Sequence, residues 1–399
     1  MSERAMDGTQ ERGGALVAIA SAAFLLLVAA LAGPIAPMGI TTALTGTLTL
    51  ACFAFGQGRT WPRTPVDRAA LGWFVALVIV SATALDRAGS FPRVAKGFMP
   101  LLVGLAAWHT ANARDGRRAL AVYLAAFALV SAWGFVLWTM HGASFASRAR
   151  GLAGHYMTFA GQLLLFIPVA LGIAIQARSP RWRWAAAGVA LLAFAPLAAT
   201  FTRSAWLGLF VACAVMLALT RPLGLALLAV LGAAAWFLAP GAWGERLHSV
   251  ADPANLWNRE RVFMWDAGVR MFRDHPFTGV GLQDLHALYD QYRSPESAER
   301  AGHLHNAYIQ IAASMGLVGL AAFAWLYASL LRAAWARGGA GSESTGLGAG
   351  VRLGVTAALV GFLVAGLFEW NFGDEELLYH LYTLVGIAWA SRGWSEPVA

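Results

Sequence analysis

The sequence predicts an all-α, polytopic transmembrane helical bundle of about 12 spans with one large, partly helical loop on the external side. Three observations predict it. Hydrophobic residues make up 58% of the 399 and charged residues 13%, a balance that no water-soluble core requires. The apolar residues fall in runs of ~17–25, long enough to cross a ~30 Å hydrocarbon layer as helices. Those runs do not alternate apolar and polar residues, which excludes a transmembrane β-barrel.

In chain order the runs are roughly 14–33, 36–56, 68–85, 95–112, 117–140, 157–177, 182–200, 204–220, 221–240, 305–335, 351–371 and 377–391. The division of 182–220 is the softest of these. The first run is not read as a cleaved signal, because its n-region mixes Arg4 and Arg12 with Glu3, Asp7 and Glu11. Pro34, Pro37, Pro168 and Pro196 mark kinks or helix ends. Cys52 and Cys213 fall inside runs and read as small core residues. The "GGAGSESTGLGAG" tract at 338–350 reads as a flexible linker. The chain therefore divides into membrane helices over 1–240, a loop over 241–304 and further membrane helices over 305–399.

Basic residues set the orientation. With the N-terminus inside, the cytoplasmic segments hold sixteen Lys/Arg and the short external loops six, while the remaining seven lie in the large external loop. The formal charge of +8 is then a topology signal and implies no nucleic-acid partner. Span centres hold Leu, Ala, Val, Gly and Phe, with a few hydroxyls and Gln162, unlike the mid-membrane charges of ion-coupled transporters. Seven of nine histidines lie in external segments. The chemistry faces outward.

"HLHNAYIQIAASMGLVG", 303–319, puts His303, His305 and Asn306 at the mouth of a span. Drawn as one continuous helix, Ala312, Gly316 and Gly319 share a stripe with His305, ~16–21 Å below it. Such a stripe serves helix packing or a lipid groove, and Asn306 serves as a cap. "TFTRSAW" places Arg203 in an external turn, either as an interfacial anchor or as a guanidinium offered to a phosphate.

Within "NRERVFMWDAGVRMFRDHPFTGVG", 258–281, Arg259, Asp266, Arg270 and Arg273 form a solvated helical stripe. Val262, Trp265, Val269 and Phe272 form the apolar stripe, with Arg261 on its side, costly there unless partnered. Arg148, Arg150 and His155 precede another span as supporting groups or a basic rim. Asp374, Glu375 and Glu376 make a solvated acidic turn or a cation site. His303 and His305 could begin a zinc site, but no third ligand stands at a characteristic spacing, so no metal and no cofactor is expected.

Together these features resemble the O-antigen ligase family of the wider O-antigen ligase/polymerase superfamily of membrane glycosyltransferases. His305-Asn306, nine residues, then Gly316 and Gly319 match that family's H-[N/S/Q]-x9-G-x-x-G pattern. "TRSAW" looks like its arginine-bearing turn, and 261–281 looks like its R-x3-W…P-x2-G-x-G segment. The resemblance implies transfer of a glycan from undecaprenyl pyrophosphate to lipid A-core at the periplasmic face of the bacterial inner membrane. Arg203 and Arg261 would hold the donor diphosphate and His305 would be the acceptor-side base, in one inverting displacement without metal. It implies a lipid-linked donor, a lipid A-core acceptor and membrane lipids as partners. An O-antigen polymerase or a protein O-oligosaccharyltransferase shares the donor. The short stretch after the last run favours the ligase over the larger oligosaccharyltransferases. A membrane transporter is the reading from another class.

Overall fold

The computed structural model describes residues 3–57, 59–335 and 345–394, with side chains from residue 14 onward except that of 287. Part of the expected linker, 338–344, lies outside the described residues. The first helices are α1 (Glu3–Ala30), α2 (Ile35–Ala54), α3 (Asp67–Thr83) and α4 (Arg87–Ser90). A 3-10 stretch over Phe91–Leu101 leads into α5 (Leu102–His109) and α6 (Ala113–Met140). Then come α7 (Tyr156–Gln176), α8 (Pro180–Ala199), α9 (Arg203–Thr220) and α10 (Gly224–Leu238). The loop contributes α11 (Gly241–His248), α12 (Leu256–Asp274) and α13 (His286–Tyr292). The chain ends with α14 (Ala307–Ala334), α15 (Leu347–Ala365) and α16 (Glu375–Ala390). No strand occurs among the described residues; this is a polytopic helical membrane protein.

Each of the twelve apolar runs contains a helix, but among the described residues seven helices are long and apolar enough to cross a membrane alone: α2, α6, α7, α8, α9, α14 and α15. Counting α10 with α11, which bend by 108° at their junction, raises the number to eight. The expected span over 95–112 is the clearest departure. Pro100 denies it a continuous ladder, so it becomes a 3-10 segment followed by the eight residues of α5. The soft boundary in 182–220 falls at 200–202, a turn in which Phe201 adopts a left-handed φ of 52°.

Helix α15 forms the centre, between α7 and α9. A Cβ on Gly172 would stand 2.3 Å from the Gly350 carbonyl oxygen, and one on Gly208 would stand 2.6 Å from that of Gly361. Small residues let these backbones touch, as membrane helices require when water supplies no drive for packing. Two histidines serve this interior. His380 is fully buried and shares a 2.6 Å hydrogen bond with the Tyr123 hydroxyl, and His109 shares one of 3.0 Å with Thr49.

The two ends of the bundle differ. At one end Trp394 Nε1 donates to the Thr110 carbonyl, Gly346 N to the Gln176 carbonyl and Arg178 to Thr345. At the other end meet 148–155, 200–204, the 241–304 loop, the start of α14 and 366–376. The positive-inside bias puts those segments on one side, and the fold gathers them into one place.

Candidate active site

The 241–304 loop is tied to the bundle through a break in α14. Gly316 has φ 61° and ψ −155° inside that helix. Leu317 N and Val318 N donate to the carbonyls of Pro276 and Phe277 at 2.8 and 3.1 Å. Val280 N and Gly281 N donate to Ala313 and Ser314 at 2.9 and 3.0 Å. Segment 276–281 thus satisfies groups that an unbroken helix would satisfy itself. A Cβ on Gly316 would lie 2.4 Å from the Phe277 carbonyl carbon, and one on Gly279 would lie 2.3 Å from that of Ser314. The straight stripe expected below His305 is therefore not formed, because the helix begins at Ala307 and breaks at Gly316. The glycines admit a loop segment, and Gly319 packs against Met315.

Helix α12 also departs from expectation in one respect. Arg259, Asp266, Arg270 and Arg273 are exposed, as the solvated stripe requires. The buried face, however, is Glu260, Met264, Ala267, Gly268 and Met271, and Val262 is 56% exposed. The expected apolar stripe fails as a core because α12 has two apolar sides. One packs on Leu304 and Ile309 around Gly268. The other carries Val262 and Trp265 beside Arg261 and faces an open groove. Glu260 is tolerated on the buried side because Ser297 Oγ and the backbone N–H of Ala298 and Glu299 donate to its carboxylate.

That groove has a volume of about 1350 Å³ and is mostly apolar. Helices α9 and α10 supply its walls, with Phe210, Met216, Leu228 and Trp236 among the lining residues. Arg203, Arg261 and Asn258 stand among the few polar groups on it. Arg203 donates to Ser249 Oγ at 2.8 Å and to Asn258 Oδ1 at 2.9 Å. Both partners are neutral, so its charge stays uncompensated. Arg246, which no local anomaly in the sequence marks out, donates from Nε to the Phe201 carbonyl at 3.2 Å. The charges of Arg203, Arg148 and Arg261 all act on it. Arg148 lies over the Phe145 and Tyr156 rings at 4.0 and 4.3 Å, whereas Arg150 is exposed. Four guanidiniums thus gather by the groove, an arrangement able to bind an anion through paired hydrogen bonds.

His305 sits beside them with a left-handed φ of 46°. Few non-glycine residues take this conformation, and functional sites are where its cost is tolerated. Asn306 holds the turn: its Oδ1 accepts from Tyr308 N and Ile309 N, and its Nδ2 donates to the Leu367 carbonyl. His305 Nδ1 lies 3.1 and 3.3 Å from the two carboxylate oxygens of Glu369. Arg261 reaches the same carboxylate at 3.8 Å. Burial pushes the Glu369 carboxyl up, but the His305 hydrogen bond and the charges of His305, His303 and Arg261 outweigh it and hold the group below its usual value. An ionised Glu369 keeps the proton on Nδ1 and leaves the Nε2 lone pair free to accept one.

Glu369, like Arg246, was not among the residues that the sequence marked out. Its signal was present as a lone carboxylate near the end of the apolar run 351–371. It also completes a donor set: ligand atoms of His303, His305 and Glu369 lie within 4.8 Å of one another, the third member that spacing did not reveal. The His303 ring is 4.2 Å from that of His305. Burial, then the charge of His305, lowers the His303 pKa to about 4.

A second, smaller cavity of about 260 Å³ adjoins this cluster, bordered by His155, Thr158, His303, Glu369, Trp370 and Asp374. His155 therefore stands in this wall, within reach of the charges of Arg150 and Arg148. The acidic turn is not merely solvated. Glu375 pairs with Lys96 at 2.8 Å, and Asp374 accepts from Thr158 Oγ1 at 2.7 Å. Burial, then the neighbouring Glu376 carboxyl, raises Asp374 to about 7.

The family model described as O-antigen ligase matches residues 187–324, from within α8 to within α14. No curated protein matches the chain. The matched segment contains Arg203, Arg246, Arg261, His303, His305, Asn306 and both glycines of the break, while Arg148, His155, Glu369 and Asp374 reach the cluster from outside it. That match, over 187–324, and the gathering of the matched arginines and histidine at one end of a helical bundle support a likeness to the O-antigen ligase/polymerase superfamily.

Proposed function

We propose that the protein is an O-antigen ligase that transfers a glycan from undecaprenyl pyrophosphate to a sugar of lipid A-core at the periplasmic face of the inner membrane. One observation carries this reading. An apolar groove of about 1350 Å³ has Arg203 and Arg261 in its lining, and Arg261 lies 3.8 Å from the carboxylate that holds His305. The polyprenyl chain occupies the groove between α9, α10 and α12, rather than the glycine stripe of α14. Its diphosphate meets Arg203 and Arg261, with Arg148 and Arg246 adding positive charge.

In the transfer, His305 Nε2 takes the proton of an acceptor hydroxyl as that oxygen bonds to the anomeric carbon. The bond from that carbon to the diphosphate oxygen breaks, and its electron pair leaves with the diphosphate. The arginines stabilise the charge that develops there, the electrostatic contribution that commonly dominates such catalysis. Glu369 steadies the imidazolium formed. A single displacement inverts the anomeric configuration, and the step as written uses no metal. The reading is tested with purified protein, a lipid-linked glycan and rough lipopolysaccharide. A ladder of glycan-bearing lipopolysaccharide on a gel is expected, and its absence at full donor and acceptor occupancy overturns the assignment.

A further inference from the structure

We propose that the 260 Å³ cavity beside Glu369 is the acceptor subsite, which takes one pyranose ring and presents its free hydroxyl to His305. The inference rests on the glycosyl-transfer reading above and adds where, and through which groups, the acceptor binds.

Size is the first argument. The cavity is smaller than the ~300–1,000 Å³ pockets that hold drug-sized ligands, so it suits a single ring rather than a lipid tail or an oligosaccharide. Its lining is the second. Trp370, half-buried, offers an aromatic wall of the kind that packs against the apolar face of a sugar. Asp374 spends one carboxyl oxygen on Thr158, while the other is buried and has no hydrogen-bond partner. An unpartnered buried oxygen is costly, and a sugar hydroxyl at this wall would satisfy it. With its pKa raised to about 7, the Asp374 carboxyl accepts or donates such a bond near neutral pH.

Position is the third argument. Ser204 borders both the cavity and the apolar groove. Arg261 lines the groove, Glu369 lines the cavity, and the two are 3.8 Å apart with His305 on the same carboxylate. The Arg261–Glu369 pair therefore stands between the two spaces, with His305 held on its carboxylate. Direct displacement needs nucleophile and leaving group on different sides of the anomeric carbon, which a donor mouth and an acceptor cavity separated by that pair provide. The hydroxyl entering from the cavity gives its proton to His305, and its oxygen forms the new bond as the diphosphate departs into the arginine cluster.

The ring could come from the lipid A-core or from the growing end of a second lipid-linked glycan; the chemistry recognised is the same. Asp374→Asn and Trp370→Leu are each assayed in two arms, one with rough lipopolysaccharide as acceptor and one with lipid-linked glycan alone. Donor binding is measured separately as the Kd of a fluorescent lipid-linked glycan, which also reports a folded protein. Loss of one hydrogen bond or one aromatic contact predicts a rise of roughly 3–10-fold in acceptor KM for each variant, with donor Kd within twofold of wild type. The arm in which KM rises identifies the source of the ring. Unchanged acceptor KM in an active enzyme overturns the subsite alone, and weakened donor Kd with unchanged acceptor KM gives the cavity to the donor's sugar instead. Wild-type protein that transfers glycan to neither acceptor overturns the glycosyl-transfer reading and the subsite with it.

Discussion

Replacing His305 by asparagine separates chemistry from architecture, because the local structure favours the replacement. The residue holds φ 46°, a conformation asparagine adopts several times more readily than most side chains. The cap is supplied by Asn306, so it survives the change. An amide N–H can still donate to Glu369, whose carboxylate also keeps the Trp370 backbone N–H at 3.1 Å. The folded protein should therefore melt within a few degrees of wild type. Catalysis should not survive, since an amide takes no proton near neutral pH. General-base contributions of ~10²–10⁴-fold correspond to ~3–5.5 kcal/mol at ~1.36 kcal/mol per decade.

Glu369→Gln supplies the graded comparison. It keeps an acceptor for Nδ1 but exchanges a charge-assisted bond, worth about 1.5–3 kcal/mol, for a neutral one of about 0.5–1.5, which predicts roughly tenfold. His303→Ala should cost less than that. The assay is the initial rate of glycan transfer at matched membrane expression, with thermal melts in detergent for each variant. Near-normal transfer by His305→Asn would reduce His305 to a turn residue and refute the base assignment. A Glu369→Gln loss equal to that of His305→Asn would show that the carboxylate charge, and not the hydrogen bond, controls the imidazole.

Arg261→Lys should largely abolish transfer while Arg259→Lys is tolerated, because lysine loses the planar fork that grips a phosphate and only Arg261 faces the groove; equal rates for the two variants would refute the clamp. Transfer should be complete in excess EDTA, and loss restored by a divalent ion would assign that ion to His303, His305 and Glu369, the set the fold brings together. Asp374 titrates at about 7 in the folded protein against 3.8 normally, so the native state holds the extra proton across that interval. Folding stability contributed by this group is therefore present below pH ~4 and falls as pH rises to ~7; melts of Asp374→Asn should lose that slope, and an unchanged slope would refute the raised value. In a cysteine-free background, Arg273→Cys should react with an impermeant thiol reagent in intact spheroplasts and Arg181→Cys should not; the reverse pattern would invert the orientation.

What was legible in the sequence was what depends on one segment and its solvent. Run lengths reported the bilayer and the arginine bias sorted the bundle's ends. Asn306 announced a cap because capping uses the N–H groups two and three residues onward. Helical projection also read the exposed face of α12 correctly, since water is the same partner on every helix. It failed on the buried face, because periodicity does not say which of two apolar sides meets protein and which meets an open groove. Drawing 305–335 as a straight helix failed for a related reason. The break at Gly316 is stabilised by hydrogen bonds from 276–281, some forty residues upstream, and no local pattern contains that partner.

The same distinction explains why the cluster reads as it does. Arg203, Arg261 and His305 each sit at a local anomaly: a charge in a short turn, a charge on an apolar side, an imidazole at a span mouth. Glu369 removes two of those anomalies at once by pairing with Arg261 and His305. Arg203 is different, since Ser249 and Asn258 satisfy its N–H groups without neutralising it. Burying two bases and a carboxylate in one place is affordable only when their hydrogen bonds are met. Leaving a cation unneutralised beside them has no structural return, because a neutral side chain would occupy the site at less cost. Arg203, with Arg246 beside it, thus carries a charge that the described residues around it do not neutralise, and an anion from outside would do so.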